Sequence, residues 1–337
     1  MTKMPSRSEI DSWTIENSGL PKRVVNAASE QNIKTVGELR QITENELLQW
    51  RGVGEGTLAD IRSFLSTCRK LEKGRTQFKD LRGLINKFFS KNEIDVLTDR
   101  YGLNRKDCSV SRNYYTLQYI ANKKDLTRER VRQIQGDSLK NLSSHIVAAS
   151  LIPFHQQIID LINSTGKIMS CSTLHEAKLD IFKSFSPCAT TLLLSDSESS
   201  GFIFRHGVFT TLTKSGIDTL HTKIKKKLDT MNKPVKLSDL AKGMEPNAVM
   251  VMLSSIPNVL ITRNGRVIHS LKSIEAFIFE FIPKNAERFH YKDLADIANE
   301  YIIKSTRKNP GFYLHKLSKI DAFKREGLGV YRVRNPR

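Results

Sequence analysis

The strongest constraint in this sequence is a hairpin pattern that occurs three times in its C-terminal half. Short β-rich runs that turn at glycine lie at residues 201–210, 259–268 and 323–333. Such runs around a glycine turn are typical of β-hairpins. The glycines Gly207, Gly265 and Gly327 follow one another at intervals of 58 and 62 residues. A period near 60 predicts one small structural unit repeated three times.

Helical patterns precede the hairpins. Ahead of the second hairpin, apolar spacing predicts helices at 220–228, 237–244 and 248–254. In the first unit, the least regular one, the third helix must come from 186–194. Three helices followed by a hairpin resemble the layout of a winged-helix domain, so three such domains in tandem are predicted. Three unrelated α+β cores are the alternative.

Cations lie at or near the tips of these hairpins. In a winged helix, side chains there can reach phosphates or a minor groove, and tandem winged helices also serve as protein-binding adaptors. The candidate DNA-binding residues of the wings are Arg205, Arg263, Arg266, Lys324 and Arg325.

The N-terminal half is predicted to be helical. Thr35 with Glu38, and Thr43 with Glu46, have the spacing of a capping box, in which side chain and backbone satisfy each other at a helix start. Two helix starts eight residues apart imply short helices. Apolar residues at helical spacing predict a second helical module from about residue 78 to 145.

The net charge indicates an anionic partner. The 337 residues include 54 Lys and Arg against 35 Asp and Glu, which gives a charge of +19 and a pI near 9.8. A balance this basic favours nucleic acid.

The turn Gly52-Val-Gly54 lies between two apolar helical patterns and is typical of a helix-hairpin-helix. Glycines there allow backbone N–H groups and the next helix start to approach a phosphate closely. This predicts DNA contact at Gly52, Gly54 and Thr57. A simple packing turn between two helices is the alternative.

The segment of about 20–66 resembles the C-terminal domain of the bacterial RNA polymerase alpha subunit. The resemblance rests on 20–29, 32–39, 46–48 and 52–54. It implies that Arg23 and Asn26 contact DNA in the minor groove upstream of promoters, where the negative potential of a narrow groove suits arginine.

The segment of about 78–145 resembles region four of primary sigma factors, on the basis of 93–103, 115–121 and 126–134. The resemblance implies a helix-turn-helix that reads the promoter minus 35 element. Independently of the family, Thr127 is a plausible N-cap, and polar side chains crowd the next two turns, where Arg can pair with guanine and Gln with adenine. A solvated, salt-bridged helix face is the alternative. The predicted reading residues are Thr127, Arg128, Glu129, Arg130, Arg132 and Gln133.

The predicted fold class is mainly α and multi-domain, with a helix-hairpin-helix bundle, a helix-turn-helix bundle and then α+β winged-helix modules. The predicted segments are a flexible tail at 1–18, the alpha-like module at 19–68, a linker at 69–76, the sigma-like module at 77–147, and winged helices at 150–214, 215–272 and 273–337.

Several classes of function are not expected. The longest apolar run is 248–253, far below the roughly 20 residues that a bilayer requires, and the first residues form no signal-like apolar segment. The four cysteines form no Cys-x-x-Cys pair, which favours a reducing cytoplasm over disulfides or zinc. His175-Glu176 lacks the second histidine of a zinc protease helix. We therefore predict no catalytic residues, metal, cofactor, small-molecule substrate or membrane partner.

The resulting hypothesis is a cytoplasmic, nucleoid-associated, sequence-specific binder of double-stranded DNA in bacterial transcription initiation or its regulation, with RNA polymerase core as a candidate partner. Fusing the two modules makes a two-site reader whose short linker supplies a high effective concentration. The alternative is a polymerase-independent DNA-site binder or adaptor of a phage, mobile element or defence system, with winged helices that bind protein. No sigma region two is recognisable, so the chain is not expected to melt promoters alone.

Overall fold

The N-terminal helices begin where the sequence places their caps. The computed structural model of the protein describes residues 4–74, 78–108, 110–177, 179–282 and 288–334. Thr35 and Thr43 each form the predicted capping box, with Glu38 and Glu46 respectively. The first helices are α1 (Arg7–Asp11), α2 (Lys22–Glu30), α3 (Val36–Leu39), α4 (Glu44–Gln49) and α5 (Glu55–Glu72).

Residues 7–17, assigned from the sequence to a flexible tail, are folded. Ser6 and Glu9 form a capping box at the start of α1, and a 3-10 turn follows at Ile15–Asn17. Ile10 and Ile15 are buried, because their apolar side chains pack against the short helices that follow. The structure also differs from the predicted linker at 69–76, because α5 continues to Glu72. Residues 75 and 76 lie outside the described part of the sequence.

The second module is helical, as the apolar spacing predicts. Its helices are α6 (Leu81–Phe88), α7 (Lys91–Tyr101), α8 (Leu117–Lys124) and α9 (Arg128–Leu142). A small core of Val96, Ile120, Ala121, Val131 and Ile134 joins α7, α8 and α9.

Three α+β segments follow, and each has the element order αβααββ. The first contains α10 (His145–Ser164), β1 (Ile168–Met169), α11 (Cys171–Glu176), α12 (Pro187–Ser195), β2 (Ile203–Arg205) and β3 (Val208–Thr210). The second contains α13 (Lys214–Asp229), β4 (Val235–Lys236), α14 (Leu237–Ala241), α15 (Pro246–Ser254), β5 (Leu260–Ile261) and β6 (Arg266–Ile268). The third contains α16 (Leu271–Phe279), β7 (Arg288–His290), α17 (Tyr291–Glu300), α18 (Pro310–Leu317), β8 (Phe323–Arg325) and β9 (Val330–Val333).

The three sheets share one strand order. They read β1-β3-β2, β4-β6-β5 and β7-β9-β8, so the last strand of each segment lies in the middle. Antiparallel pairing aligns Val235 with Val267, and Leu260 with Ile268. The predicted hairpins are confirmed, and the strands that the sequence pattern did not indicate are β1, β4 and β7.

The protein forms two compact units that cut across the predicted segments. The first comprises Met1–Leu161 and Cys171–Ile203, and the second comprises Ile162–Ser170 and Phe204–Arg337. The proposed boundary near residues 147–150 falls inside α10, which runs without interruption through it. The mainly helical fold class, with an α part and an α+β part, is confirmed.

In the first unit, α12 packs against α7. The Ser186 backbone N–H donates to the Leu103 carbonyl oxygen at 2.7 Å, and the Tyr101 hydroxyl donates to Asp196 Oδ2 at 2.6 Å. All residues of α12 from Cys188 to Leu194 are buried. This third helix of the first αβααββ segment therefore offers no surface for reading DNA.

The second unit joins its segments through main-chain contacts. The Glu245 N–H donates to the Thr165 carbonyl oxygen at 3.0 Å, and the Arg263 N–H donates to the Tyr301 carbonyl oxygen at 2.8 Å. A β-bridge between Thr262 and Ile302 reinforces the second contact. Consecutive segments of this unit are thus fixed to one another by backbone hydrogen bonds.

Candidate nucleic-acid interface

A three-residue turn joins α8 to α9. Helix α8 ends at Lys124, and its C-cap Asp125 has a left-handed φ of +53°. The Leu126 N–H donates to the Ala121 carbonyl oxygen at 3.0 Å. Val131 and Ile134 on the inner side of α9 pack against Ile120 of α8. The opposite side of α9 is exposed to solvent.

The six predicted reading residues lie together at the N-terminal end of α9. Thr127 is the N-cap, because its hydroxyl accepts a hydrogen bond from the Arg130 N–H at 3.1 Å. This satisfies one of the orphan donors of the first turn. The side chains that are exposed here are those of Arg128, Glu129, Arg130, Arg132 and Gln133.

The charges at this end of α9 are only partly neutralised. Glu129 accepts two hydrogen bonds from Arg132, at 2.6 and 2.8 Å, which lower the pKa of the Glu129 carboxyl. Arg130 Nη1 lies 3.4 Å from Gln133 Oε1. Within the described part of the sequence, Arg128 and Arg130 form no ion pair, so both cations can bind an anion without first breaking one.

Arg100 connects α9 to the segment before α8, a role that no sequence pattern indicated. This side chain is buried, and it donates to Gln135 Oε1 of α9 at 3.0 Å and to the Tyr115 carbonyl oxygen at 2.6 Å. It also donates to Asn113 Oδ1. Burial lowers the pKa of the Arg100 guanidinium. Arg100 therefore holds α9 against the segment that precedes α8.

We expect Arg100→Met to destabilise the protein by about 1–3 kcal/mol, because the half-buried Tyr115 carbonyl loses a charged donor. Urea denaturation of the full-length protein measures the change in free energy of unfolding. The matched control is Arg62→Met, which removes an exposed ion pair to Glu44. That variant should lose no more than about 1 kcal/mol. Equal losses in the two variants would contradict the role given to Arg100.

The turn between α4 and α5 has an open backbone. Gly52 has a φ of +81°, Gly54 is the N-cap of α5, and a Cβ at either position would meet no atom within 4 Å. The first N–H groups of α5 have no helical acceptor, and they carry the positive end of the helix dipole. Thr57, predicted to contact DNA, is instead buried, with 5% of its surface exposed, since it lies on the inner side of α5.

Arg23 and Asn26 lie on the exposed side of α2. Arg23 forms an ion pair with Asp60 of α5, which brings it beside the same helix that the glycine turn begins. Arg23 therefore lies beside α5, the helix that follows the turn at Gly52 and Gly54.

The predicted hairpin cations fall into two groups. Arg205 pairs with Asp218 at 2.5 and 2.8 Å, and Arg266 pairs with Glu280 at 2.5 and 2.7 Å. These two arginines are already neutralised, and sequence spacing could not show their partners. The remaining three, which are exposed, are Arg263, Lys324 and Arg325.

The pairing of Asp218 gives a prediction for its titration. Hydrogen bonds from Arg205 and then His206 lower the pKa of the Asp218 carboxyl from 3.8 to about 2. The ionised Asp218 carboxylate therefore stabilises the folded state above pH 3.8, and this stabilisation is lost as the pH falls towards 2. We expect Arg205→Ala to raise this pKa, as followed by NMR titration of the carboxyl carbon. An unchanged pKa in that variant would rule out Arg205 as the main cause.

Comparison with known proteins adds one finding. Residues 2–67 match the family model for the C-terminal domain of the bacterial RNA polymerase alpha subunit. The match covers the predicted resemblance and extends it back over α1, consistent with the burial of Ile10. Comparisons with curated proteins and with solved structures gave no match.

The matched family suggests DNA binding in bacterial transcription. It is a DNA-binding domain rather than an enzyme. Among the described residues, no helix is long and apolar enough to cross a membrane. No group of three or more His, Cys, Asp or Glu side chains in those same ranges is placed to hold a metal ion.

Proposed function

We propose that the protein is a sequence-specific double-stranded-DNA-binding protein of bacterial transcription initiation or its regulation. The observation that carries this proposal is the exposed N-terminal end of α9. The helix begins at the N-cap Thr127 and exposes Arg128 and Arg130, which have no acidic partner among the described residues. Val131 faces the core and packs α9 against α7 and α8. These features are those of a helix that reads DNA. A helix that enters the major groove presents such N-terminal residues to base edges.

Each residue has a proposed role. Arg130 and Gln133 read bases, and Arg128 binds either a base or a phosphate. Glu129 orients Arg132 in the free protein, and DNA replaces Glu129 as the partner of Arg132 in the complex. Binding is supported by minor-groove contacts of Arg23 and Asn26, as the resemblance to the alpha-subunit domain implies, and by backbone contacts of Gly52 and Gly54 with phosphates. The resemblance of 78–145 to sigma region four is part of this proposal, and so is RNA polymerase core as a partner.

The C-terminal repeats fit the winged-helix layout, and we propose that the first two bind protein. Their third helices, α12 and α15, contain no Lys or Arg, and α12 is buried. These helices therefore favour an adaptor role over groove reading. This observation also supports the second candidate function, a polymerase-independent DNA-site binder or adaptor of a phage, mobile element or defence system.

Selection of bound sequences from a random duplex pool tests the proposal, with and without bacterial RNA polymerase core. We expect the protein alone to enrich one motif, which Arg130→Ala loses. The matched control is Lys140→Ala, an exposed cation in the last turn of the same helix, which should keep the motif. Enrichment only with core would make the protein a polymerase accessory. No enrichment in either case would contradict sequence-specific binding.

A further inference from the structure

The outer face of the third sheet carries opposed cations. Arg288 on β7 lies directly opposite Arg332 on β9, and Arg332 lies opposite Lys324 on β8. All three side chains are exposed, and so is Arg334, two residues further along the sequence from Arg332. Like charges at opposed positions of an antiparallel pair destabilise a sheet. A bound polyanion would offset that repulsion.

Among the residues that the structure describes, Glu326 is the carboxylate paired with this face. Glu326 Oε2 lies 2.8 Å from Arg288 Nε, and its other oxygen lies 3.8 Å from Arg332 Nη1. Within the described ranges, Lys324 and Arg334 form no ion pair. Counted over the described residues, four cations and one carboxylate give this face a positive charge, which suits phosphates.

The tip of the same hairpin presents a bare apolar side chain. Leu328 is 93% exposed, whereas the other large apolar side chains classed as exposed among the described residues reach at most 54%. It lies between two glycines. Gly329 has a φ of +80°, and a Cβ there would lie 2.5 Å from His290 Nε2. The hydrogen bond from the Glu326 N–H to the Val330 carbonyl oxygen, at 3.0 Å, closes the turn below Leu328.

The other two hairpins lack this combination. At the first, Arg205 and His206 both form hydrogen bonds with Asp218. At the second, Arg266 forms an ion pair with Glu280. Their tips carry His206 and Asn264 where the third carries Leu328. The third hairpin is thus distinct from the repeats to which it is otherwise similar in strand order.

We propose that the third hairpin binds duplex DNA through the minor groove, with Leu328 inserted between base steps. This rests on the proposed function, since it requires a duplex-binding protein. The minor groove, about 6 Å wide, admits a thin tip, and apolar wedges inserted there unstack a base step and kink the duplex. Arg288, Lys324 and Arg332 then bind the phosphates that flank the groove.

An anionic membrane surface is the competing partner for cations around a leucine. A single leucine buries little apolar area in a bilayer, and stable anchoring requires a larger apolar contribution beside the basic patch. A row of cations beside the single exposed side chain of Leu328 therefore favours DNA over a membrane as the partner.

The test measures DNA bending by energy transfer between the ends of a labelled duplex bound by the full-length protein. We expect the wild type to bend the duplex by about 20–90°, and Leu328→Ala to lose most of that bend. The matched control is Ile297→Ala, which removes a 44% exposed apolar side chain from the same repeat and should leave the bend unchanged. Arg332→Ala should reduce the slope of log affinity against log salt by about 0.9, one phosphate contact.

The outcomes separate the two proposals. If Leu328→Ala bends DNA like the wild type while Arg130→Ala loses the sequence motif, the wedge is wrong and the proposed function stands. If Leu328→Ala loses the bend while Arg130→Ala changes nothing, the wedge stands and the reading helix is wrong. Wild-type protein that binds no duplex overturns both. Binding to phosphatidylcholine–phosphatidylglycerol vesicles that only Leu328→Ala loses, with DNA bending intact, would replace DNA by a membrane.

Discussion

Raising the salt concentration from about 50 to 200 mM is expected to weaken DNA binding by roughly a thousand-fold, if the protein neutralises six or more phosphates. The reason is the release of counterions, which becomes less favourable as salt increases. The net charge of +19 and the exposed cations of α2 and α9 provide for this number of contacts. Fluorescence anisotropy of a labelled duplex across this salt range measures the slope.

The salt dependence also separates the candidate functions. An adaptor that binds polymerase and little DNA would show a nearly flat dependence for the duplex. A flat dependence together with tight, salt-resistant binding to polymerase core would contradict the DNA-binding account and favour the adaptor. A control in which the anion is changed at constant ionic strength distinguishes phosphate competition from specific anion binding.

The second large effect is expected in α9. Arg130→Ala and Gln133→Ala should each weaken binding to the preferred duplex by about 1–3 kcal/mol, or roughly 5- to 150-fold. Binding to random duplex should change much less, because bases rather than phosphates lose their partner. Lys22→Ala, which removes an exposed cation of α2, should weaken all sequences alike.

A conservative variant sharpens this test. Arg130→Lys keeps the positive charge and loses the planar fork that pairs with guanine, so it should bind random duplex normally and still lose the preferred site. If Arg130→Ala, Gln133→Ala and Lys22→Ala all reduce binding to random and preferred duplex equally, α9 does not read bases.

Local signals made much of this structure predictable. Thr35, Thr43 and Thr127 cap the helices that their sequence positions indicate, because a cap depends on residues only three apart. The three hairpins follow in the same way from glycine turns between β-rich runs. The family match to 2–67 likewise confirms the resemblance of 20–66 to the alpha-subunit domain.

Features that depend on tertiary contacts were not predictable. Strands β1 and β4 have two residues each, too few to show a period of two, and they exist because a hairpin offers them an edge. Arg100 has the sequence surroundings of an ordinary surface charge, yet it is buried against α9. Its role depends on how α7 packs, which no short pattern encodes.

The site shows the same division. The polar end of α9 was predictable because helical periodicity separates its apolar inner side from its charged outer side. The neutralisation of Arg205 and Arg266 was not, since Asp218 and Glu280 lie on or just after the following helices. The burial of Thr57 depends on the rotation of α5 about its axis. Leu328 has the sequence surroundings of an ordinary turn residue, and only the sheet register places the cations beside it.

The most direct test of the central claim is the ratio of two dissociation constants for the wild-type protein, one for its selected duplex and one for a random duplex, at the same salt concentration of about 150 mM. Sequence-specific proteins bind their site at least about a thousand-fold more tightly than random DNA. We expect a ratio of that size for the wild type, and a large loss of it in Arg130→Ala. Equal dissociation constants for the two duplexes would contradict sequence reading by α9.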